Sequence, residues 1–359
     1  MMMLLLPLII MAGGANWYLA RRLVTGLRVF FPNLGKWAFW TLFSVMLLLL
    51  VAGFLSVPVL GTVGTWWMGI FVYLFLAFLV CDGLGLVLRL FKRRWKYLPL
   101  AAVVLGLSVS VYGFVHAAQL QTARYSVNID GLQGDMKVVL LTDLHLGASR
   151  TEARLGDLVE KVNAEQPDLI CISGDLFNSD FGAMEDPEAV AATLGRLEAT
   201  YGVYACWGNH DAGSTYAQME AFLPACGITL LKEEGTVIDG RLYLVGRLDG
   251  TPIGGNGGQS RRQISEILAD APDLPVLVMD HNPGNLSEYS DETDLVLSGH
   301  THKGQIFPGS LITDAMYTVD YGYYRGDTQI IVSSGAFYWG MPMRVGSDCE
   351  IVSIDLVAP

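Results

Sequence analysis

The hydrophobic positions of this 359-residue chain change their pattern near residue 120. The front part contains four almost uninterrupted apolar runs, at about residues 2–19, 37–60, 65–88 and 97–119. Each run approaches or exceeds the roughly 20 residues that cross a bilayer as a helix. A cleaved signal peptide is the alternative for the first run, but no basic segment precedes it and three more runs follow. The pattern predicts a four-helix transmembrane domain over residues 1–119.

Behind this front part, short apolar runs alternate with amphipathic stretches, which is typical of alternating strands and helices. Residues 120–136 are polar and predict a connector with an edge strand at 124–129. The predicted strands that follow are 137–142, 168–173, 202–207, 228–231, 275–280, 293–298, 329–334 and 349–356. The predicted helices are 151–165, 186–199, 214–226 and 260–269.

Two turn signals complete this pattern. Asp239-Gly240 predicts a β-hairpin, and the glycines between residues 254 and 258 predict a flexible loop. The early strand–helix order implies parallel pairing, whereas the later strands and the hairpin imply a second, mixed sheet. Residues 137–359 are therefore predicted to form an α/β domain with two sheets.

Charge separates the same two parts of the chain. Residues 1–120 carry nine Lys and Arg and one acid, Asp82, and the remaining 239 residues carry a net charge of −20. The basic residues lie between the first and second runs and between the third and fourth: Arg21, Arg22, Arg28 and Lys36, then Arg89, Lys92, Arg93, Arg94 and Lys96. Because cytoplasmic loops are enriched in Lys and Arg, both basic loops are predicted to face the cytoplasm. The chain is then a multi-pass protein of the cell membrane whose termini and soluble domain lie outside.

The charge pattern also bears on partners and on single polar residues. The soluble part lacks a basic stripe that would neutralise a phosphate backbone, so nucleic acid is not expected as a partner, whereas membrane lipids are. Asp82, inside the third apolar run, is either a functional acid or, as we favour, an acid packed between helices near glycines. The five cysteines show no C-x-x-C spacing and predict free buried thiols, although a location outside the cytoplasm would permit one or two disulfides.

Five of the six histidines lie in short polar clusters, each directly after a predicted strand. The clusters are Asp143-Leu-His145, Gly174-Asp175, Gly208-Asn209-His210-Asp211, His281 and Gly299-His300-Thr-His302. Open α/β folds build their sites at such strand ends, and residues i and i+2 of an extended segment point the same way. Carboxylates, imidazoles and an amide suit borderline divalent metals. Seven such ligands are too many for one tetrahedral ion, so the sequence predicts a two-metal hydrolase site.

The order of these clusters resembles that of the calcineurin-like metallophosphoesterase superfamily, and the resemblance covers residues 124–356. It is nearest to membrane-anchored bacterial members, which share Ser298-Gly-His-Thr-His-Lys-Gly-Gln305 and a Ser-Gly-x-x-x-x-x-x-Pro-x-Arg segment at 334–344. The resemblance implies a two-sheet αββα sandwich, here preceded by an all-α transmembrane domain. It also implies a metal-dependent phosphoric ester hydrolase.

The resemblance further implies two ligand sets. Asp143, His145, Asp175 and His302 would hold one ion, and Asp175, Asn209, His281 and His300 the other. Asp175 would bridge the ions, and a water between them would attack phosphorus. His210 would stabilise the transition state or protonate the leaving oxygen. Manganese, iron and zinc all suit these ligands.

Several neighbouring residues have competing interpretations. Asp211 is predicted to cap the helix after Ser214, and Asp180, Asp186 and Asp249 are interpreted as cap or turn residues. Lys303 either contacts substrate phosphate or is an exposed loop lysine. Three consecutive aromatic residues line a substrate cleft, dip towards the membrane or, as we favour, pack against the sheet: Phe337, Tyr338 and Trp339.

These observations predict a membrane-anchored di-metal phosphoesterase that hydrolyses phosphomonoesters or phosphodiesters. A location outside the membrane favours an envelope substrate, such as a lipid head group, a lipid-linked sugar phosphate or a wall polymer. Two alternatives remain open. One is a cytoplasm-facing hydrolase of nucleotides or pyrophosphates, and the other is a non-catalytic metal-binding sensor.

Overall fold

The chain forms two compact units. The computed structural model describes residues 2–54, 58–148, 151–326 and 328–359, and of residues 2–9 and 58 it describes the backbone. One unit, here called the helical unit, comprises residues 1–115 with 340–343. The other, called the α/β unit, comprises residues 116–339 with 344–359.

The apolar runs of the helical unit form α1 (Met2–Leu27), α2 (Lys36–Ala52), α3 (Pro58–Leu90) and α4 (Leu98–Ala117). Within the described residues, two segments are long and apolar enough to cross a membrane, Val59–Leu90 and Leu98–Ala117. Helix α2 has 17 residues and is shorter than the others.

The prediction that the second apolar run forms one helix as far as residue 60 is wrong. Helix α2 ends at Ala52, with Gly53 as its C-cap, and Pro58 begins α3. Residues 55–57 of this run lie outside the described residues. Proline is favoured at the first position of a helix and disrupts a helix interior, so Pro58 marks a new start rather than a continuation.

Glycines and one ion pair join the helices of this unit. A Cβ atom on Gly64 of α3 would lie 2.1 Å from the backbone nitrogen of Gly53, so only glycine permits this approach. The carboxylate of Asp82 accepts a hydrogen bond of 2.6 Å from the Tyr18 hydroxyl and pairs with Arg22. Asp82 thus packs between α1 and α3, as we favoured, but its basic partner was not predicted.

The α/β unit contains two six-stranded sheets. Sheet I has the strand order β1-β12-β2-β3-β4-β5, and sheet II has the order β10-β11-β9-β8-β7-β6. Sheet I consists of β1 (Leu120–Asn128), β2 (Met136–Leu141), β3 (Leu169–Ser173), β4 (Val203–Cys206), β5 (Ile228–Leu230) and β12 (Cys349–Val357). Sheet II consists of β6 (Glu234–Ile238), β7 (Leu242–Gly246), β8 (Val276–Met279), β9 (Leu295–Ser298), β10 (Gly322–Arg325) and β11 (Gln329–Val332).

Strand directions follow the sequence pattern. Strands β2, β3, β4 and β5 pair in parallel, as the early strand–helix order predicted. Sheet II is mixed, because β6 pairs antiparallel with β7 and β10 antiparallel with β11. Asp239 and Gly240 have φ of 53° and 70° and form the predicted hairpin turn between β6 and β7.

Three hydrophobic layers hold these elements together. Along β2, Val138 and Leu140 face the core between the sheets, while Val139 and Leu141 face the outer core of sheet I. The helices on the outer faces are α5 (Leu155–Ala164), α6 (Pro187–Leu194) and α7 (Tyr216–Phe222) on sheet I and α8 (Ile264–Leu268) on sheet II. The strands are therefore covered on both faces, which gives the αββα sandwich that the resemblance implied.

Several predicted boundaries are wrong. The edge strand β1 starts at Leu120 rather than 124, and α6 ends at Leu194 because Gly195 follows. Helix α8 spans only Ile264–Leu268, since Arg261 and Arg262 instead bind the buried acids Asp280 and Glu233. Helix α9 (Gly309–Met316) and strand β10 were not predicted.

Free thiols were predicted correctly, since all five cysteines are buried and unbridged.

Candidate di-metal centre

The polar clusters of sheet I meet at one edge of the sheet. Asp143 and His145 follow β2, Asp175 follows β3, and Asn209 and His210 follow β4. The carboxyl ends of neighbouring parallel strands lie side by side, so these residues come together although they are up to 67 positions apart.

Sheet II brings three histidines to the same place. His281 follows β8, and His300 and His302 follow β9. His281 crosses to sheet I, where its Nδ1 lies 2.9 Å from the carbonyl oxygen of Ser173. The structure therefore gathers all seven ligands predicted from the sequence, together with His210, around one point.

The first ligand set forms a buried group of nitrogen and oxygen atoms. Nε2 of His145 and Nε2 of His302 are 3.2 Å apart, and Asp143 Oδ1 lies 3.7 Å and 3.3 Å from them. Asp143 Oδ1 is buried and accepts no hydrogen bond from the part of the chain that the structure describes. A buried carboxylate oxygen without a partner is costly, and a cation among these three atoms would satisfy it.

The second ligand set has the same character. His281 Nε2 lies 3.2 Å from Asp175 Oδ2 and 3.3 Å from His300 Nδ1, and Asn209 Oδ1 lies 2.8 Å from His300 Nδ1. The Nδ1 of His281 is positioned to donate its proton to the Ser173 carbonyl, which directs Nε2 towards the carboxylate of Asp175. Burial acts to lower the pKa of His281, but the charge of Asp175 and the hydrogen bond to it raise that pKa well above its ordinary value, so an ion bound here would replace the Nε2 proton.

Asp175 faces both sets. Its Oδ2 lies 3.2 Å from His281 Nε2 and 3.8 Å from His145 Nε2. Its Oδ1 accepts a hydrogen bond of 2.8 Å from the backbone N–H of His210, which fixes the carboxylate. Two groups of residues are compact enough for their ligand atoms to share one ion. One is Asp143, His145 and His302, and the other is Asp143, Asp175 and His281. Asp175 is thus where a bridging carboxylate is expected.

Electrostatics keep the imidazoles of His145 and His302 neutral and the carboxylate of Asp175 ionised. Burial lowers the pKa of His145 and of His302 to about 3, so both imidazoles are neutral. Burial acts to raise the pKa of Asp175, but the charge of His281 and the hydrogen bond to it hold that pKa below its ordinary value. Neutral imidazoles beside an ionised carboxylate are the forms in which these groups bind metal.

Five of the seven predicted ligands have a left-handed backbone. Their φ angles lie between 44° and 70°: Asp143, His145, Asp175, His300 and His302. Residues other than glycine rarely adopt this region, and each costs on the order of 1–3 kcal/mol. Such strain concentrates at functional sites, so these turns support the assignment of the strand ends to the site.

Glycines allow the strand-end loops to approach each other. A Cβ atom on Gly208 would lie 2.2 Å from Asp175 Oδ1, and one on Gly299 would lie 2.5 Å from Asp143 Oδ2. Contacts this short are not possible for a side chain. Glycine at both positions therefore permits the ligand loops to touch.

The predicted cap role of Asp211 is wrong. Helix α7 begins at Tyr216, and the carboxylate of Asp211 instead accepts hydrogen bonds from the backbone N–H groups of Leu176, Phe177 and Gly208, at 3.2, 2.8 and 2.9 Å. These donors belong to the loops after β3 and β4. Asp211 therefore holds the loops of Asp175 and Asn209 together. Asp180 and Asp186 do cap short helices, as predicted.

Ser179 and Arg344 support the site from outside the predicted ligand set. The Ser179 hydroxyl lies 2.6 Å from His210 Nδ1 and orients that ring. The fully buried Arg344 donates to the carbonyl oxygens of His302 and Ser334, at 2.9 and 2.7 Å. Arg344 was part of the recognised 334–344 segment, but its role was not predicted, and Ser179 carries no sequence signal.

The structure also shows the surroundings of Lys303 and of the aromatic residues 337–339. Lys303 Nζ lies 4.0 Å from the centre of the Tyr321 ring, a cation–π contact that neither interpretation had included. Phe337 and Tyr338 are buried, as we favoured, but Trp339 is 53% exposed. Trp339 lies on the rim of a cavity of about 180 Å³, which is lined by His145, Asp175, Asn209, His210, His300, His302 and Trp339.

Comparisons with known proteins agree with this geometry. A family model described as calcineurin-like phosphoesterase matches residues 136–304. An uncharacterized metallophosphoesterase of Helicobacter pylori is 32% identical over 240 residues, which cover 64% of this chain and 62% of that protein. The chain therefore spans less than two thirds of the length of that relative.

Two further relatives extend the comparison. The transmembrane protein with metallophosphoesterase domain of Bos taurus is 30% identical over 74% of this chain and 64% of its own length. The uncharacterized metallophosphoesterase YkuE of Bacillus subtilis is 30% identical over 74% of this chain and 95% of its own length. The chain therefore belongs to the calcineurin-like metallophosphoesterase family.

Proposed function

We propose that this protein is a membrane-anchored di-metal phosphoesterase that hydrolyses phosphomonoesters or phosphodiesters. The observation that carries the proposal is the pair of buried ligand sets that share Asp175 at the wall of an open cavity. Two sets of nitrogen and oxygen ligands with one common carboxylate are the arrangement expected for two-metal hydrolysis of phosphate esters.

The residues have distinct tasks in this proposal. Asp143, His145 and His302 would hold one ion, Asn209, His281 and His300 the other, and Asp175 both. Manganese, iron or zinc bound there would supply Lewis acidity towards the phosphoryl oxygens and an acidified water.

His210 lines the cavity without belonging to either set. Its Nδ1 is held by Ser179, so its Nε2 is the atom available to contact the phosphoryl group or to protonate the leaving oxygen. A positioned general acid of this kind typically contributes about 10²–10⁴-fold to the rate.

The membrane location rests on three observations. Two described helical segments, Val59–Leu90 and Leu98–Ala117, have the length and hydropathy of membrane spans. A Cβ atom on Gly26 would lie 3.1 Å from Pro99 Cβ, so the end of α1 and the start of α4 lie together, near the basic residues at the end of α1 and those between α3 and α4. One relative of this chain is named as a transmembrane protein with the same domain.

Basic loops gathered at one end of the helices favour a cytoplasmic position for that end. The α/β unit then lies outside the cytoplasm, where phosphorylated envelope components, including lipid-linked ones, are the accessible substrates. A reporter that is active only outside the cell, joined after Pro359, tests this orientation. Activity of the reporter supports it, and an inactive but intact fusion would favour the cytoplasmic alternative.

Hydrolysis by the purified full-length chain tests the reaction. We expect turnover of bis(p-nitrophenyl) phosphate or p-nitrophenyl phosphate with Mn²⁺ or Zn²⁺ and none after treatment with EDTA. Asp175→Asn should lower kcat/KM by at least about 10²-fold. Asp175 is the ligand shared by both ions, and its loss would remove several kcal/mol of transition-state stabilisation.

Asp186→Asn is the matched control for this variant, since Asp186 caps the remote helix α6. It should retain the wild-type rate. Two bound ions without turnover of either ester would favour a metal-binding sensor. Absence of both metal and turnover would contradict the proposal.

A further inference from the structure

Trp339 is the one residue of the aromatic run 337–339 whose side chain is not buried. Phe337 and Tyr338 are 0% and 4% exposed, whereas Trp339 is 53% exposed at the rim of the cavity. A large apolar ring left in water forgoes the stabilisation that burial would give, so an exposed tryptophan beside a site is a candidate contact for a ligand.

Gln305, in the loop that follows His302, fixes the backbone of Trp339. The side-chain amide of Gln305 donates to the carbonyl oxygen of Trp339 and accepts from its N–H, each at 2.9 Å. Gln305 is itself buried and has a φ of 54°. A backbone held on both sides presents the indole at a constant position, which lowers the entropic cost of binding against it.

The indole lies next to the proposed general acid. The ring centres of Trp339 and His210 are 6.0 Å apart, with an angle of 45° between the planes. A leaving oxygen protonated by His210 would therefore carry its substituent towards Trp339. The cavity of about 180 Å³ is smaller than the roughly 300–1,000 Å³ of ligand-sized pockets. It accommodates a phosphoryl group, and the rest of the substrate has to extend over the rim.

The lining also argues against a highly charged leaving group. The described residues around the cavity include no lysine or arginine. Lys303 lies over Tyr321, and Arg344 is fully buried behind His302. Among the described residues a second phosphate would find no cationic side chain there, whereas a ring would find the indole face.

We infer that Trp339 forms a subsite for a flat ring in the leaving group, either a nucleobase or aryl ring or the apolar face of a pyranose. This inference rests on the proposed function and adds its substrate class. Stacking of a base on an aromatic side chain contributes on the order of tenfold or more in affinity. The two ligand sets and His210 act on the phosphoryl group, whatever its substituent.

Binding of two non-hydrolysable phosphonates tests the subsite without requiring turnover. The full-length protein loaded with Mn²⁺ is titrated with phenylphosphonate and with methylphosphonate in a calorimeter. We expect phenylphosphonate to bind about tenfold more tightly to the wild type. Trp339→Ala should abolish this preference while leaving the affinity for methylphosphonate and the bound metal unchanged. Trp339→Phe should keep most of the preference.

Trp95→Ala is the matched control, since Trp95 is 51% exposed in a loop of the helical unit and does not line the cavity. It should behave as the wild type. Equal affinities of the wild type for the two phosphonates, or a preference that survives in Trp339→Ala, would overturn the inference.

Hydrolysis of uridine 5′-monophosphate and glucose 1-phosphate distinguishes the two kinds of ring. The ester whose kcat/KM falls in Trp339→Ala identifies the ring that stacks. If neither ester nor any nitrophenyl ester is hydrolysed, the proposed function fails. The phenylphosphonate preference then still decides whether the subsite exists.

Discussion

The two sheets of the α/β unit contribute different chemistry to one site. Sheet I supplies both carboxylates, an amide and one imidazole, through Asp143, Asp175, Asn209 and His145, whereas sheet II supplies only the imidazoles of His281, His300 and His302. Neither sheet holds a complete ligand set, because His302 completes the first and His281 with His300 the second. The difference teaches that metal binding depends on the packing of one sheet against the other.

Variants of one ligand from each sheet should separate the two sets. Asp143→Asn removes a sheet I carboxylate from the first set, and His281→Gln removes a sheet II imidazole from the second. We expect each variant to retain one metal ion and to lose at least about 10²-fold in kcat/KM, because both ions would take part in the proposed reaction. Metal content by mass spectrometry and rates with p-nitrophenyl esters measure the two effects.

Asp186→Asn and His116→Gln change an acid and a histidine outside the ligand sets and serve as controls. Loss of both ions from Asp143→Asn would show that the sets do not bind independently.

Two adjacent isoleucines of β11 sharpen the comparison between the sheets. Ile331 packs in the core between the sheets, and Ile330 packs in the outer core of sheet II. Each is fully buried, so replacement by alanine should lower the free energy of unfolding by about 2–5 kcal/mol. Only Ile331→Ala should also weaken metal binding, since it loosens the contact that joins the ligand sets. Denaturant unfolding with and without Mn²⁺ tests this expectation, and equal metal affinity in both variants would contradict it.

Arg344→Lys gives a smaller and more local effect. The guanidinium of Arg344 binds the carbonyl oxygens of His302 and Ser334, and a lysine cannot reach both with the same geometry. Supporting residues of this kind typically contribute about 10–100-fold to metal affinity. We therefore expect weaker binding at the first set alone, measured by competition with a chelating dye. An equal loss at both sets would indicate a general disturbance of the fold.

Much of the α/β unit could be predicted because its signals are local. Each ligand cluster directly follows an apolar strand, and parallel strands bring their carboxyl ends to one edge. Asp143, Asp175 and Asn209 therefore had to lie close together once the strand order was known. The division into two sets came from the family resemblance rather than from the spacing.

The errors concern contacts between distant residues. Asp211 has the local sequence of a helix cap, but its three partners include Leu176 and Phe177, about 35 positions earlier in the chain. Trp339 has a large apolar side chain that is typical of a core residue. Its position at the cavity depends on Gln305, which is 34 positions away. Helix α8 is short because two buried acids, Glu233 before β6 and Asp280 after β8, bind the arginines before it. None of these partners is visible in a local pattern.

The directions of β1 and β12 place the two ends of the α/β unit at opposite edges of sheet I. Strand β1 runs parallel to β12, and β12 runs antiparallel to β2, whose carboxyl end carries Asp143. The chain therefore enters the sheet at Leu120 on the ligand edge and leaves it at Val357 on the opposite edge. Nine residues at about 3.3 Å each separate these edges by roughly 30 Å. We therefore expect an affinity tag or fluorescent protein joined after Pro359 to lie on the edge of sheet I opposite to the ligands.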